Sequence, residues 1–172
     1  MASAHVVVIS GTVGSGKTTI ATRLHDTLAQ RGYRVGVIDV DFLAEVEPRT
    51  PEDPYNSYFG IRNLAAVWPN YKAFGVEYMV LARVVEEADE RAKYDAAFGV
   101  PVKIVRLEVP RDIRIARLHE RETEPQWLAW HLNRTDELAN TMRERELEDF
   151  VVNNGERSPD ETVAEIIELL GW

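Results

Sequence analysis

"HVVVISGTVGSGKTT" occupies His5 to Thr19. Its first part is a near-continuous apolar run, the pattern of a strand covered on both faces. The second part spaces Gly11, Gly14, Gly16, Lys17 and Thr18 as G-x-x-x-x-G-K-[ST], after which Ile20, Leu24 and Leu28 recur at helical spacing. Strand, glycine-rich turn and helix in that order make a phosphate cradle. Glycine lets successive backbone N–H groups point inward, and the helix N-terminus adds its partial positive charge behind them. Gly11, Thr12, Val13, Gly14, Ser15, Gly16, Lys17, Thr18 and Thr19 are therefore read as the seat of a nucleoside triphosphate. Lys17 is placed to reach the β- and γ-phosphates, and the Thr18 hydroxyl to meet a magnesium ion.

Working outward, short β-branched runs alternate with helix-period segments, the signature of βαβ units around a parallel sheet. Strands are expected at His5–Ser10, Tyr33–Asp39, Glu77–Val84, Val102–Val109 and Phe150–Asn154. Helices are expected from within the glycine loop to Gly32, over Arg62–Phe74, over Glu86–Phe98, after Pro110, and over Gln126–Glu148. A last helix is signed by Ser158 as cap, Pro159, and Glu161 completing a capping box. The segment "EVEPRTPEDPYNSYFG", Glu45–Gly60, reads as a long functional loop.

The 172 residues suggest one domain, 1–172, and 45% hydrophobic residues suffice for a core without disulfides. Cysteine is absent, so the chain carries no thiol chemistry. The net charge of −9 disfavours nucleic acid as the main partner. The start, "MASAHVVVISG", lacks a basic region and its apolar run is short, so a cytoplasmic protein without membrane attachment is expected.

Asp39 and Asp41 close the second strand in "VIDVDFLAEVEP", two residues apart and so expected on one side of an extended chain. In a parallel sheet this strand ends at the same edge as the phosphate loop. A carboxylate there takes a proton from an attacking hydroxyl or holds magnesium through water; the alternative is a pair of capping aspartates.

The loop and "IDVDFL" resemble the small-molecule kinases of the nucleoside-monophosphate-kinase-like group, among them gluconate kinases and adenylylsulfate kinases. "VDFLAEVEP" is similar to a segment of chloramphenicol phosphotransferases, and "VVNNGERSPDETVAEIIELL" to the closing strand, loop and helix of these kinases. The resemblance covers the two ends of the chain and implies a three-layer α/β P-loop fold with a five-stranded parallel sheet. It implies a kinase using ATP, with GTP left open, and Mg2+. Asp41 then matches the base, Thr18 and Asp39 the metal side. Three residues after Asp41, adenylylsulfate kinases usually carry arginine and gluconate kinases histidine; Ala44 stands here, so neither acceptor is indicated.

The acceptor is expected over the carboxyl edge of the sheet, near the aromatic loop residues Tyr55, Tyr58 and Phe59, then Arg62, Asn63 and Arg83, with Asp39 and Asp41. Arg83, near the end of an apolar strand, needs a partner: a substrate anion, Glu86 or Asp41. By resemblance, a lid at about 111–135 closes over the triphosphate with Arg117 and Arg121, which share a helix face. A solvated face pairing with Glu120, Glu122 and Glu124 is the other reading. Trp127, Trp130 and His131 suit core or lid packing, and His5, His25 and His119 show no ligand spacing. Asn154 and Gly155, with Arg117, match the adenine-side positions. The whole predicts a kinase for a small hydroxyl-bearing molecule, monomeric or homodimeric. A nucleotide hydrolase, switch or binding module without a small acceptor is the rival.

Overall fold

The computed structural model describes residues 4–172; Met1, Ala2 and Ser3, which open the segment read above for a leader, lie outside the described residues. In chain order the elements are β1 (His5–Gly11), α1 (Lys17–Gln30), β2 (Val35–Asp39), α2 (Asp41–Ala44), α3 (Ser57–Ala73) and β3 (Tyr78–Ala82). They continue with α4 (Glu90–Phe98), β4 (Lys103–Glu108), α5 (Arg111–Arg121), α6 (Pro125–Arg145), β5 (Phe150–Asn153) and α7 (Pro159–Leu170). The strands form one parallel sheet in the order β2-β3-β1-β4-β5.

β1 is central because both its faces are apolar. Val7 and Ile9 join a core with Ile20, Leu24 and Leu28 of α1 and Val163, Ile166 and Ile167 of α7. Val6 and Val8 join the opposite core with Ile61, Leu64 and Trp68 of α3 and Tyr94 and Phe98 of α4. The result is three layers, with Val8 in register with Leu81 on one side and Ile104 on the other. From β1 the chain builds one half of the sheet through β2 and β3, then the other through β4 and β5. A ligand crevice opens at such a switch point, beyond the carboxyl ends of the strands.

Two helix starts differ from expectation by several residues, each for a local reason. The expected loop to Gly60 ends at Asn56, whose left-handed backbone and buried amide, donating to the Ala44 and Val46 carbonyls, start α3 at Ser57. Gly60 therefore sits inside α3, where an added Cβ would lie 3.1 Å from Val40 and 3.2 Å from Ala44. α4 begins at Glu90 and not Glu86, because the buried Glu90 carboxylate accepts the N–H groups of Glu86 and Glu87 and turns that segment away from helix. α2 is new. The capping box of α7 is formed, Ser158 accepting from the Glu161 N–H and Glu161 accepting from the Ser158 N–H. Among the described residues no helix is long and apolar enough to cross a membrane.

Candidate nucleotide and acceptor site

The glycine loop leaves β1 at Gly11 with φ 145°, where a Cβ would lie 2.6 Å from the Ser15 hydroxyl oxygen and 2.8 Å from the Leu107 carbonyl. No larger residue fits that turn. Gly16 begins α1 at φ 89°. The loop's carbonyls are engaged by neighbours: Lys17 Nζ donates to Thr12 at 2.9 Å, Thr135 Oγ1 of α6 to Val13 at 2.7 Å, and Asn154 Nδ2 to Ser15 at 2.8 Å. Carbonyl oxygens repel phosphate, and here three of them are occupied by the protein's own donors. Burial pushes the Lys17 ammonium down to about 8, against the pull of Asp41 and Asp39; Arg121 and Arg83 push the same way as burial.

The two aspartates are not set by strand alternation, though both act on the Lys17 ammonium. β2 ends at Asp39, Val40 is already helical, and Asp41 opens α2, so the alternation of an extended strand stops between them. Asp39 accepts from the Thr18 hydroxyl at 2.6 Å and from the Asp41 N–H at 3.1 Å, facing α1 while capping α2. Asp41 turns instead to the buried Arg83, with which it is ion-paired. Arg83 also donates to the Tyr55 carbonyl at 2.6 Å, which ties the irregular segment before α3 to the end of β3.

Asp41, Arg83, Lys17 and Thr18 line a cleft of about 610 Å³. Its opposite wall is α6, through Trp130, His131, Arg134 and Leu138. Arg134 is buried, ion-paired with Glu86 and Glu137, and stacked 3.9 Å over the Tyr55 ring. Phe42 lines the cleft while 79% exposed, and Trp130 while 42% exposed, so apolar rings stand at its mouth among charged residues such as Glu45, Arg49 and Arg121.

The model of the CobQ/CobB/MinD/ParA nucleotide binding domain matches residues 6–125 of this sequence. The chain belongs to that nucleotide-binding family. A probable adenylyl-sulfate kinase of Aeropyrum pernix is 62% identical over 37 residues, 22% of this chain and 20% of its own. A signal recognition particle 54 kDa protein of Pyrobaculum calidifontis is 51% identical over 39 residues, 23% of this chain and 9% of its own. The chain thus spans a fifth or less of the length of these curated relatives. Three solved structures share its fold. A gluconokinase of Sinorhizobium meliloti superposes with TM-score 0.66 at 20% identity, covering 99% of this chain and 94% of that one. A shikimate kinase of Bacteroides thetaiotaomicron gives 0.67 at 17%, covering 98% and 99%. The tunicamycin resistance protein of Deinococcus radiodurans gives 0.70 at 17%, covering 98% and 96%. The fold is therefore that of the nucleoside-monophosphate-kinase-like P-loop proteins.

In this P-loop domain the remaining expected residues are distributed unevenly. Arg121 lines the cleft, exposed, with its guanidinium on Glu122 at 2.6 Å. Arg117 lies deeper, donating to the Asn154 and Gly155 carbonyls at 3.0 Å each. The Asn154 amide, between Ser15 and the Thr162 hydroxyl, is a buried brace, so only its surroundings and not its side chain are open to a ligand. Tyr58 and Arg62 stand outside the cleft lining. Tyr58 points to the Asp89 carboxylate at 3.2 Å with Lys93 over its ring, and Arg62 is exposed on α3. The turn that starts α3 early carries both away from the cleft, which is met by Tyr55, one of the expected aromatic residues, and by Asn56 and Ser57. Trp127 and Trp130 are not core: both are exposed, in edge contact with each other at 6.5 Å.

Arg134 and Thr135 have no place in the sequence reading of the site, and Glu86 enters it only as a possible partner of Arg83. One signal was available: Trp130, Arg134 and Leu138 recur every four residues, so one face of α6 presents all three.

Proposed function

We propose that this domain is a kinase that moves the terminal phosphoryl group of ATP to a hydroxyl of a small molecule. The observation that carries the reading is the Asp41 carboxylate, held by Arg83 on the wall of the cleft that contains Lys17. Asp41 takes the proton of the acceptor hydroxyl as it attacks. Lys17 and Arg121 put positive charge where charge develops on the transferred group, and Arg117 orders the adenine side with Asn154 and Gly155. The hydroxyl of Thr18 and the carboxylate of Asp39, 2.6 Å apart, are oxygen donors of the kind that would hold a magnesium ion beside the phosphates. ATP and magnesium, when bound, supply the phosphoryl group and the neutralisation of its oxygens.

The pocket chemistry supports an acceptor class. Arg83 and Arg134 are each balanced by a carboxylate, Asp41 and Glu86, while Phe42, Tyr55 and Trp130 surround the space with rings. A neutral hydroxyl compound with an apolar or aromatic face fits better than a multiply charged one. The chain works as one unit, with α5 and the first half of α6, about 111–135, as the lid.

The test is ADP release with magnesium and ATP against neutral and anionic hydroxyl compounds, including sugars, nucleosides and phenicol-type molecules. Acceptor-dependent release, abolished in Asp41→Asn, is expected. The family match and the signal-recognition-particle relative favour a second reading, a nucleotide-dependent switch. Slow hydrolysis that no acceptor changes, with water as nucleophile, selects it.

A further inference from the structure

A second cavity, of about 590 Å³, is walled by the end of β4, the first turns of α5 and the middle of α6. It shares no lining residue with the cleft described above. In a chain of net charge −9, its lining holds four arginines, Arg106, Arg111, Arg114 and Arg143, against the carboxylates of Glu108 and Asp136.

The carboxylates are already committed. Arg111 grips Asp136 with two donors, at 2.9 and 2.7 Å. Arg106 is ion-paired with Glu148 at 2.9 Å and with Glu108 at 3.7 Å. Arg114 is left with a distant share of Asp136, at 3.4 Å. Its side chain is 9% exposed, and its Nε–H has no hydrogen-bond partner among the described residues. Among the described residues Arg143 is held by neutral oxygens, those of Ala139 at 2.9 Å and Asn140 at 3.0 Å. The Thr12 hydroxyl, on the same lining, is also buried without a partner among the described residues. Burial, and the neighbouring charges of Arg111 and Arg143, act against the Arg114 cation, with Asp136 and Glu108 opposing them. A buried, under-paired guanidinium facing a cavity is a costly arrangement that an anion relieves.

We propose that this cavity, behind the glycine loop and distinct from the cleft that contains Lys17, is a second anion site for a small phosphorylated molecule. Even with Glu148 counted against Arg106, the four arginines exceed their carboxylates by one charge, which favours an anion such as phosphate. Its several oxygens can take the Arg114 Nε–H, an Arg143 donor and the Thr12 hydroxyl from different directions, which a flat carboxylate does less well. The volume leaves room for an organic body beyond the phosphate. The occupant rests on both helices that hold the loop, since Asp136 adjoins Thr135 and Arg114 lies one turn before Arg117.

Calorimetric titration of inorganic pyrophosphate in magnesium-free buffer tests the site without reference to turnover. Wild type should bind at two sites per chain. Lys17→Ala should weaken one of them at least tenfold and leave the other unchanged, while Arg143→Gln and Arg114→Gln should do the reverse. Arg143 is exposed, so its variant reports on the site even if Arg114→Gln does not fold. A single site that Lys17→Ala weakens, or a second one indifferent to Arg143→Gln, overturns the proposal.

Discussion

Arg83, buried at the end of β3, is ion-paired with Asp41 at the start of α2 and donates to the Tyr55 carbonyl at 2.6 Å. One guanidinium thus fixes both the acidic wall of the cleft and the segment that approaches it before α3. The pair has one buried member and one exposed member, so Asp41 is oriented yet still reachable by an acceptor.

Asp41→Asn keeps size and polarity but removes the base. Acceptor-dependent turnover is expected to fall by about 10²-fold or more, with nucleotide affinity nearly unchanged. Steady-state kinetics beside nucleotide titration separate the outcomes: lost nucleotide binding moves Asp41 to the metal side, and unaltered turnover removes it from the chemistry. Asp39→Asn should differ, its loss being partly restored by excess magnesium, because Asp39 faces Thr18.

The pH dependence of nucleotide binding follows from Lys17. Its ammonium titrates near 8 in the fold against 10.5 ordinarily, so between these values the unfolded chain binds more protons. The contribution of Lys17 to stability therefore rises with pH across that window. Binding runs the other way: phosphate favours the ammonium, so affinity should fall as pH rises above about 8, with proton uptake on binding. Calorimetry at a pH of about 8.5, in two buffers of different ionisation enthalpy, should show uptake in wild type and none in Lys17→Arg. Equal heats in both buffers for wild type would refute this assignment.

Thr135→Val is isosteric and deletes one buried hydrogen bond, that to the Val13 carbonyl. A loss of about 1–2 kcal/mol in urea unfolding is expected, since the carbonyl is left without its donor. Nucleotide affinity should drop several-fold, because α6 no longer braces the loop. Unchanged affinity would make this contact structural only.

Arg117 and Arg121 should separate. Arg117→Ala removes the tie to Asn154 and Gly155 and should lower both the melting temperature and nucleotide affinity. Arg121→Ala, whose own partner is the neighbouring Glu122, should leave the melting temperature in place and reduce kcat at least tenfold. ATP with magnesium should also slow proteolysis between Arg111 and Arg134. Identical cleavage with and without nucleotide would leave α5 and α6 as a fixed wall.

The parallel sheet, the loop and the final helix were legible because each is written in neighbouring residues. An unbroken apolar run, a glycine spacing or a Ser-x-x-Glu box acts over one strand or one turn, where chain connectivity sets the distances. The expectation for Asp39 and Asp41 went astray within the same short range. It assumed an extended chain, and Val40 had already turned into α2.

What the sequence by itself determined is the layer architecture and the presence of a phosphate-binding turn, since periodicity and local steric freedom suffice for both. Only the tertiary structure decided which charges meet. Arg83 chose Asp41 over Glu86, Glu86 went to Arg134 from 48 positions away, and Arg114 was left without a full partner. A guanidinium attracts any carboxylate alike, so its partner is set by which helix packing brings within reach, and no pattern along the chain records that.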